Sequence, residues 1–237
     1  MKIRIIGTSH ISPESIKKVE KTILNEKPGI VAIELDAKRL YALLHKGKQR
    51  LSYKDIKRVG IKGWLFALIG AWAERKLGAK VGVAPGSEMI KAVAAAQQTG
   101  AKIALIDQDI DVTLKKFSKA LTWKEKFRFM ADLFKGVVLK KGIEFDLEKV
   151  PSQKIIKKLV DDVKKRYPNI YHVLVEERNE YMAKSLARIT QLHPEEQIIA
   201  VVGAGHEKEI RKLLKKYLKT EKESVSKRVI NELPQLS

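Results

Sequence analysis

The chain has 237 residues, enough for one sizeable α/β core or two small ones, and 44% of them are apolar, a globular composition. It has no cysteine, which excludes disulfides, iron–sulfur clusters and thiolate zinc sites and leaves any metal to histidine and carboxylate. Lysine and arginine total 48 against 28 acidic residues, a formal charge of +20 that invites contact with nucleic acid or an anionic membrane surface.

Lys2 to Ile6 is a strand, followed by Gly7-Thr8-Ser9-His10. Ser12 then caps a helix with Pro13 at its first position, and Pro28-Gly29 stops it near Glu26. Ile30 to Leu35 is a strand of the kind buried on both faces. Glu34, near its end, is a carboxylate in an apolar run and is costly there unless paired, in the plainest case with a lysine or arginine. Asp36 to Lys46 is helical, and so is Tyr53 to Leu77. The stretch from Trp64 to Trp72 in that second helix is apolar all round, which suits burial against a second subunit, as in a homodimer, or under a lid.

Lys80 to Ala84 is a third strand, and Gly86-Ser87-Glu88 opens an alanine-rich helix that Thr99-Gly100 ends. Lys102 to Ile106 is a fourth strand. Asp107 and Asp109 follow it, two carboxylates suited either to a metal or to the cap of the next helix. From about 112 to 167 the chain turns to long basic helices without strand patterns, a helical insertion in which Gly136 and Gly142 offer a hinge. Asn169 to Gln191 is a helix with an apolar line through Ile170, Val173, Leu174 and Tyr181, on which Glu177 also falls, beside Arg178. His193-Pro194 breaks the chain before Ile198 to Val202, a fully apolar strand, and Gly203-Ala204-Gly205-His206 repeats the Gly-x-x-His pattern of the N-terminus. After Leu218 apolar periodicity lapses, so 219–237 reads as a tail or linker of the kind left where a domain is cut from a longer chain.

The expected architecture is α/β: a mostly parallel central sheet flanked by helices in a single domain over 1–218, with the helical insertion before the last strand. Ligands bind such sheets at the carboxyl edge of the strands. His10, Glu34, Asp107, Asp109 and His206 all fall there, with Gly7 and Gly203 as the tight positions beside the histidines. Two imidazoles and a carboxylate suit zinc, manganese or cobalt with a position left for water, and an arginine stabilises a developing oxyanion. The longest apolar stretch, Gly63 to Ala73, is well short of the roughly 20 residues that span a bilayer, and no signal peptide precedes the first strand, so the expected location is cytoplasmic. The lysines are scattered over helices rather than gathered beside aromatics. Nucleic acid is therefore disfavoured as a partner, and an anionic membrane surface fits better.

GTSHIS, AIELDAKR, APGSEMIKAV, ALIDQDIDVTL, EERNEYMA and AVVGAGHEKEI, in this order over nearly the whole chain, resemble the TraB/PrgY family of pheromone-shutdown proteins, which is related to the Tiki metalloproteases. Gln108 departs from that family's pattern, which more often has arginine there. The resemblance implies a metal-dependent, peptidase-like hydrolase with His10 and His206 as metal ligands, Glu34 as ligand or base, and Glu177 with Arg178 lining the site. It also implies membrane association through a C-terminal segment outside this chain. The alternative is a non-catalytic protein that sequesters a peptide or other small ligand at the membrane surface.

Overall fold

The computed structural model describes residues 2–8, 13–45, 57, 86–120, 122–125, 127–128, 131–132 and 153–232. His10, the helix expected over 53–77 with its Trp64 to Trp72 stretch, the strand expected over 80–84 and the glycines of the hinge lie outside the described residues.

Each aliphatic run within the described residues becomes a strand. These are β1 (Ile3–Thr8), β2 (Ile30–Ile33), β3 (Lys102–Leu105) and β4 (Ile198–Gly203). They pair in the order β1-β4-β2-β3, every pair parallel, with Thr8 opposite Gly203 and Ile33 opposite both Val201 and Leu105. The last strand in the chain is therefore central. Gly7 and Thr8 continue β1, and the second Gly-x-x turn is tighter than the sequence suggests: Gly203 continues its strand and the final helix starts at Ala204 with no residue between.

Parallel pairing requires crossovers that cover both faces of the sheet. On one face, α1 (Pro13–Glu26) and α3 (Ser87–Thr99) pack Val19, Ile23, Met89, Ala92 and Ala96 onto Val31, Ile33, Ile199 and Val201. The short α2 (Ala37–Leu44) follows β2. On the other face, α7 (Glu177–Leu192) and α8 (Ala204–Glu232) pack Met182, Ala183, Leu186, Ile210 and Leu214 onto Ile30, Ala32, Ala200 and Val202. The alternation of Ile198, Ala200 and Val202 against Ile199 and Val201 divides one strand between two cores, which explains why β4 is apolar at every position. Helix α8 runs on as helix through Glu232, past the Leu218 at which apolar periodicity lapses. Residues 219–232 hold a helix rich in Lys and Glu, residues of high helix propensity.

The helical part over 110–171 comprises α4 (Ile110–Ala120), α5 (Gln153–Arg166) and α6 (Pro168–Tyr171) among the described residues. Thr122 and Glu125 form a capping box, with the Glu125 N–H donating to Thr122 Oγ1 at 3.3 Å. The Glu125 carboxylate also reaches α6, accepting from the Asn169 N–H at 2.9 Å and from its side-chain amide at 2.8 Å. Burial alone would raise this carboxyl, but the hydrogen bonds from Asn169 and Thr122 outweigh it and hold it below the ordinary value. A depressed carboxyl stabilises above its unfolded pKa, and that contribution is lost as pH falls through the folded one. Glu125→Gln should thus cost about 1.5–3 kcal/mol at neutral pH and flatten the loss of stability below about pH 4, read by urea unfolding across pH.

Between α6 and α7 the chain does not stay α-helical. His172–Glu176 is a π-helical segment. One extra residue per turn shifts the phase of the downstream helix by about 100°, a single residue's rotation. The inward line of α7 therefore runs Asn179, Met182, Ala183, Leu186, Ala187, while Tyr181, expected on the apolar line, is 45% exposed.

Candidate active site at the carboxyl edge of the sheet

Register alone brings the ends of the four strands to one edge. Glu34 is the first residue beyond β2, and its N–H still donates to Val201 O at 3.1 Å. Its carboxylate leans over β4: Oε2 accepts the Gly203 N–H at 2.5 Å and Oε1 accepts Arg178 Nη2 at 2.6 Å. Asp107, beyond β3, has a side chain with no exposed surface and takes the same guanidinium as a two-pronged fork. Arg178 Nε donates to its Oδ1 at 3.1 Å and Nη2 to its Oδ2 at 2.5 Å. Arg39 of α2 adds a further donor to Asp107 and donates from Nε to Asp36 Oδ2 at 2.7 Å. Asp36 in turn caps α2 through the N–H groups of Lys38 and Arg39. Three carboxylates and two guanidinia thus interlock. Burial would lower the Arg178 pKa, but the charges of Glu34 and Asp107 outweigh it and raise it above the ordinary arginine value.

His206 stands in the first turn of α8, above β4. Its Nδ1 lies 2.7 Å from Asn179 Oδ1, and its Nε2 faces Glu34 Oε1 at 3.5 Å. An imidazole whose Nδ1–H is held by a carbonyl oxygen offers Nε2 as a metal ligand. Two ligand atoms 3.5 Å apart are compatible with one ion about 2.0–2.2 Å from each. This nitrogen and oxygen donor pair fits a divalent ion of the zinc, manganese or cobalt class. No group of three His, Asp or Glu suited to a metal is present among the described residues, and the third expected ligand, His10, lies outside them.

A profile of the TraB/PrgY/gumN family matches residues 1–223. The chain belongs to this family. Among curated relatives, an uncharacterised protein of Methanocaldococcus jannaschii is 38% identical over 220 residues, covering 90% of this chain and 53% of the relative. A TraB domain-containing protein of Homo sapiens is 25% identical over 230 residues, and one of Bos taurus 24% over 232, each covering 86% of this chain and 60% of the relative. The chain therefore spans between half and two thirds of the length of these relatives. No helix among the described residues is long and apolar enough to cross a membrane.

Of the residues singled out in this TraB-family sequence, the structure brings Glu34, Asp107, Arg178, Gly203 and His206 together. It places Asp109 apart, where Oδ1 accepts the Asp111 N–H at 2.8 Å and Oδ2 pairs with Lys38 Nζ at 2.8 Å. The hydrogen bond from Lys38 lowers the Asp109 carboxyl and raises the Lys38 amine. Of the two uses expected of these carboxylates, Asp109 takes the capping one, while Asp107 pairs with the two arginines instead. Gly7 acts through its missing side chain: a Cβ there would overlap Glu207 Oε2 and stand 3.3 Å from Ala204 Cα, against the turn that carries His206. Gln108, at the position where the family more often has arginine, is buried and donates from Nε2 to Thr113 Oγ1 at 3.0 Å. Glu177 points the other way from Arg178, pairing with Lys116 Nζ at 2.6 Å beside His172.

Two residues of the cluster escape a sequence reading, Arg39 and Asn179. Arg39 follows Asp36 by three positions, a spacing that links side chains on one helical turn. Asn179 opens the series Asn179, Met182, Ala183, Leu186, Ala187, so a polar residue at the head of an apolar i, i+3, i+4, i+7, i+8 line was its signal.

Proposed function

We propose that this TraB-family chain is a metal-dependent hydrolase that cleaves a peptide at the carboxyl edge of its sheet. The observation that carries the reading is the His206 ring held between Asn179 Oδ1 at 2.7 Å and Glu34 Oε1 at 3.5 Å, with the Arg178 guanidinium on that same carboxylate oxygen. His206 and Glu34 would hold the ion together with His10. When bound, the ion makes a water nucleophilic at neutral pH and polarises the scissile carbonyl. Arg178 fixes the direction of Glu34 and balances its charge, and the buried surroundings strengthen both effects by excluding water. Glu177 pairs with Lys116 and borders the same cleft as Asn179.

The test is metal content by mass spectrometry and calorimetric titration with zinc, manganese and cobalt, followed by a peptide screen. One ion per wild-type chain is expected, and none in His206→Ala or His10→Ala, with circular dichroism unchanged. A wild-type chain that binds none of these ions overturns the reading. Peptide binding that survives metal removal, without turnover, favours sequestration instead.

A further inference from the structure

Asn179 is 1% exposed at the head of the α7 core line, a position at which an apolar residue would serve packing better. Among the described residues only one end of its amide is engaged: Oδ1 meets His206 Nδ1 at 2.7 Å, and the residue borders a cleft of about 440 Å³ walled by Tyr171, His172, Glu177 and Leu213. Its engaged end does something specific. An amide oxygen only accepts, so it commits the proton of a neutral imidazole to Nδ1 and leaves Nε2 unprotonated, its lone pair available to a ligand. That lone pair then faces a second acceptor, Glu34 Oε1, at 3.5 Å, an arrangement that a cation between them makes favourable.

We infer that Asn179 is a positioning residue that fixes His206 as its Nδ1–H tautomer and so presents Nε2 toward Glu34. This rests on the proposed function for its purpose but not for its measurement. The opposite amide orientation would donate to Nδ1 and place the proton on Nε2, so the two arrangements are distinguishable in the metal-free protein. Long-range proton–nitrogen NMR of the labelled chain at about pH 8, above the ordinary imidazole pKa of about 6.5, reads the ring directly, with His206→Gln assigning its signals among the five histidines.

The expected result is a hydrogen-bearing Nδ1 and a bare Nε2 in the wild type. Asn179→Asp, which keeps an acceptor, should retain that pattern. Asn179→Leu should move the proton to Nε2 and weaken zinc binding about 10–100-fold, with circular dichroism reporting that it has folded. A wild-type ring with its proton on Nε2, or on both nitrogens, overturns the inference, as does a folded Asn179→Leu with unchanged tautomer. A wild type with the expected tautomer that binds no zinc upholds the inference and refutes the metal reading alone.

Discussion

Arg178→Met should lower the folding free energy by about 3–5 kcal/mol, the range for removing one partner of a buried ion pair. The side chains left behind are Glu34, 4% exposed, and Asp107, fully buried. Asp107 retains Arg39 and the Gln108 N–H. Glu34 keeps the Gly203 N–H but loses its guanidinium, so most of the cost falls on this carboxylate. The double variant Arg178→Met/Glu34→Gln should recover part of the loss, because a neutral amide needs no counter-charge. Urea unfolding of the three proteins measures this. A loss under about 1 kcal/mol for Arg178→Met would mean that the network does not bear the buried charge.

Glu34→Gln alone should separate stability from chemistry. The amide oxygen can still accept the Gly203 N–H, and Arg178 keeps its two-pronged bond to Asp107. The fold should therefore survive with a smaller loss than Arg178→Met. Peptide turnover should fall on the order of 10²–10⁴-fold, the range for a positioned proton-transfer group, and the ion should be lost with it. Turnover retained within about tenfold would remove Glu34 from the proposed chemistry, whatever happened to stability.

The parts of this arrangement that were legible in the sequence are those set by local pattern. Fully apolar runs such as IIAVV mark strands covered on both faces, and the positions just after them mark the edge where Glu34, Asp107 and His206 meet. The features hidden from it depend on pairing and on phase. No local feature distinguishes a central from an edge strand, so the place of β4 between β1 and β2 emerges only from the register. A constant 3.6-residue period carried through 169–191 puts Glu177 on the inner face and misses Asn179, because the π-helical segment at His172–Glu176 advances the phase just before them. The competing roles of Asp107 and Asp109 were likewise undecidable until α2 brought Arg39 to one and Lys38 to the other.

The position of β4 also governs when the site can exist during synthesis. The strands it joins, β1 and β2, are made well before it but do not touch, and the strand that fills the gap between them follows the other three described strands in the chain. Until residues 198–203 arrive, the nascent chain has neither a continuous sheet nor the backbone N–H that holds Glu34, and His206 comes within a few residues of them. Sheet closure and assembly of the site are thus a single late event, dominated by contacts between distant parts of the chain. A chain that stops short of residue 198 therefore lacks the assembled cluster by topology alone.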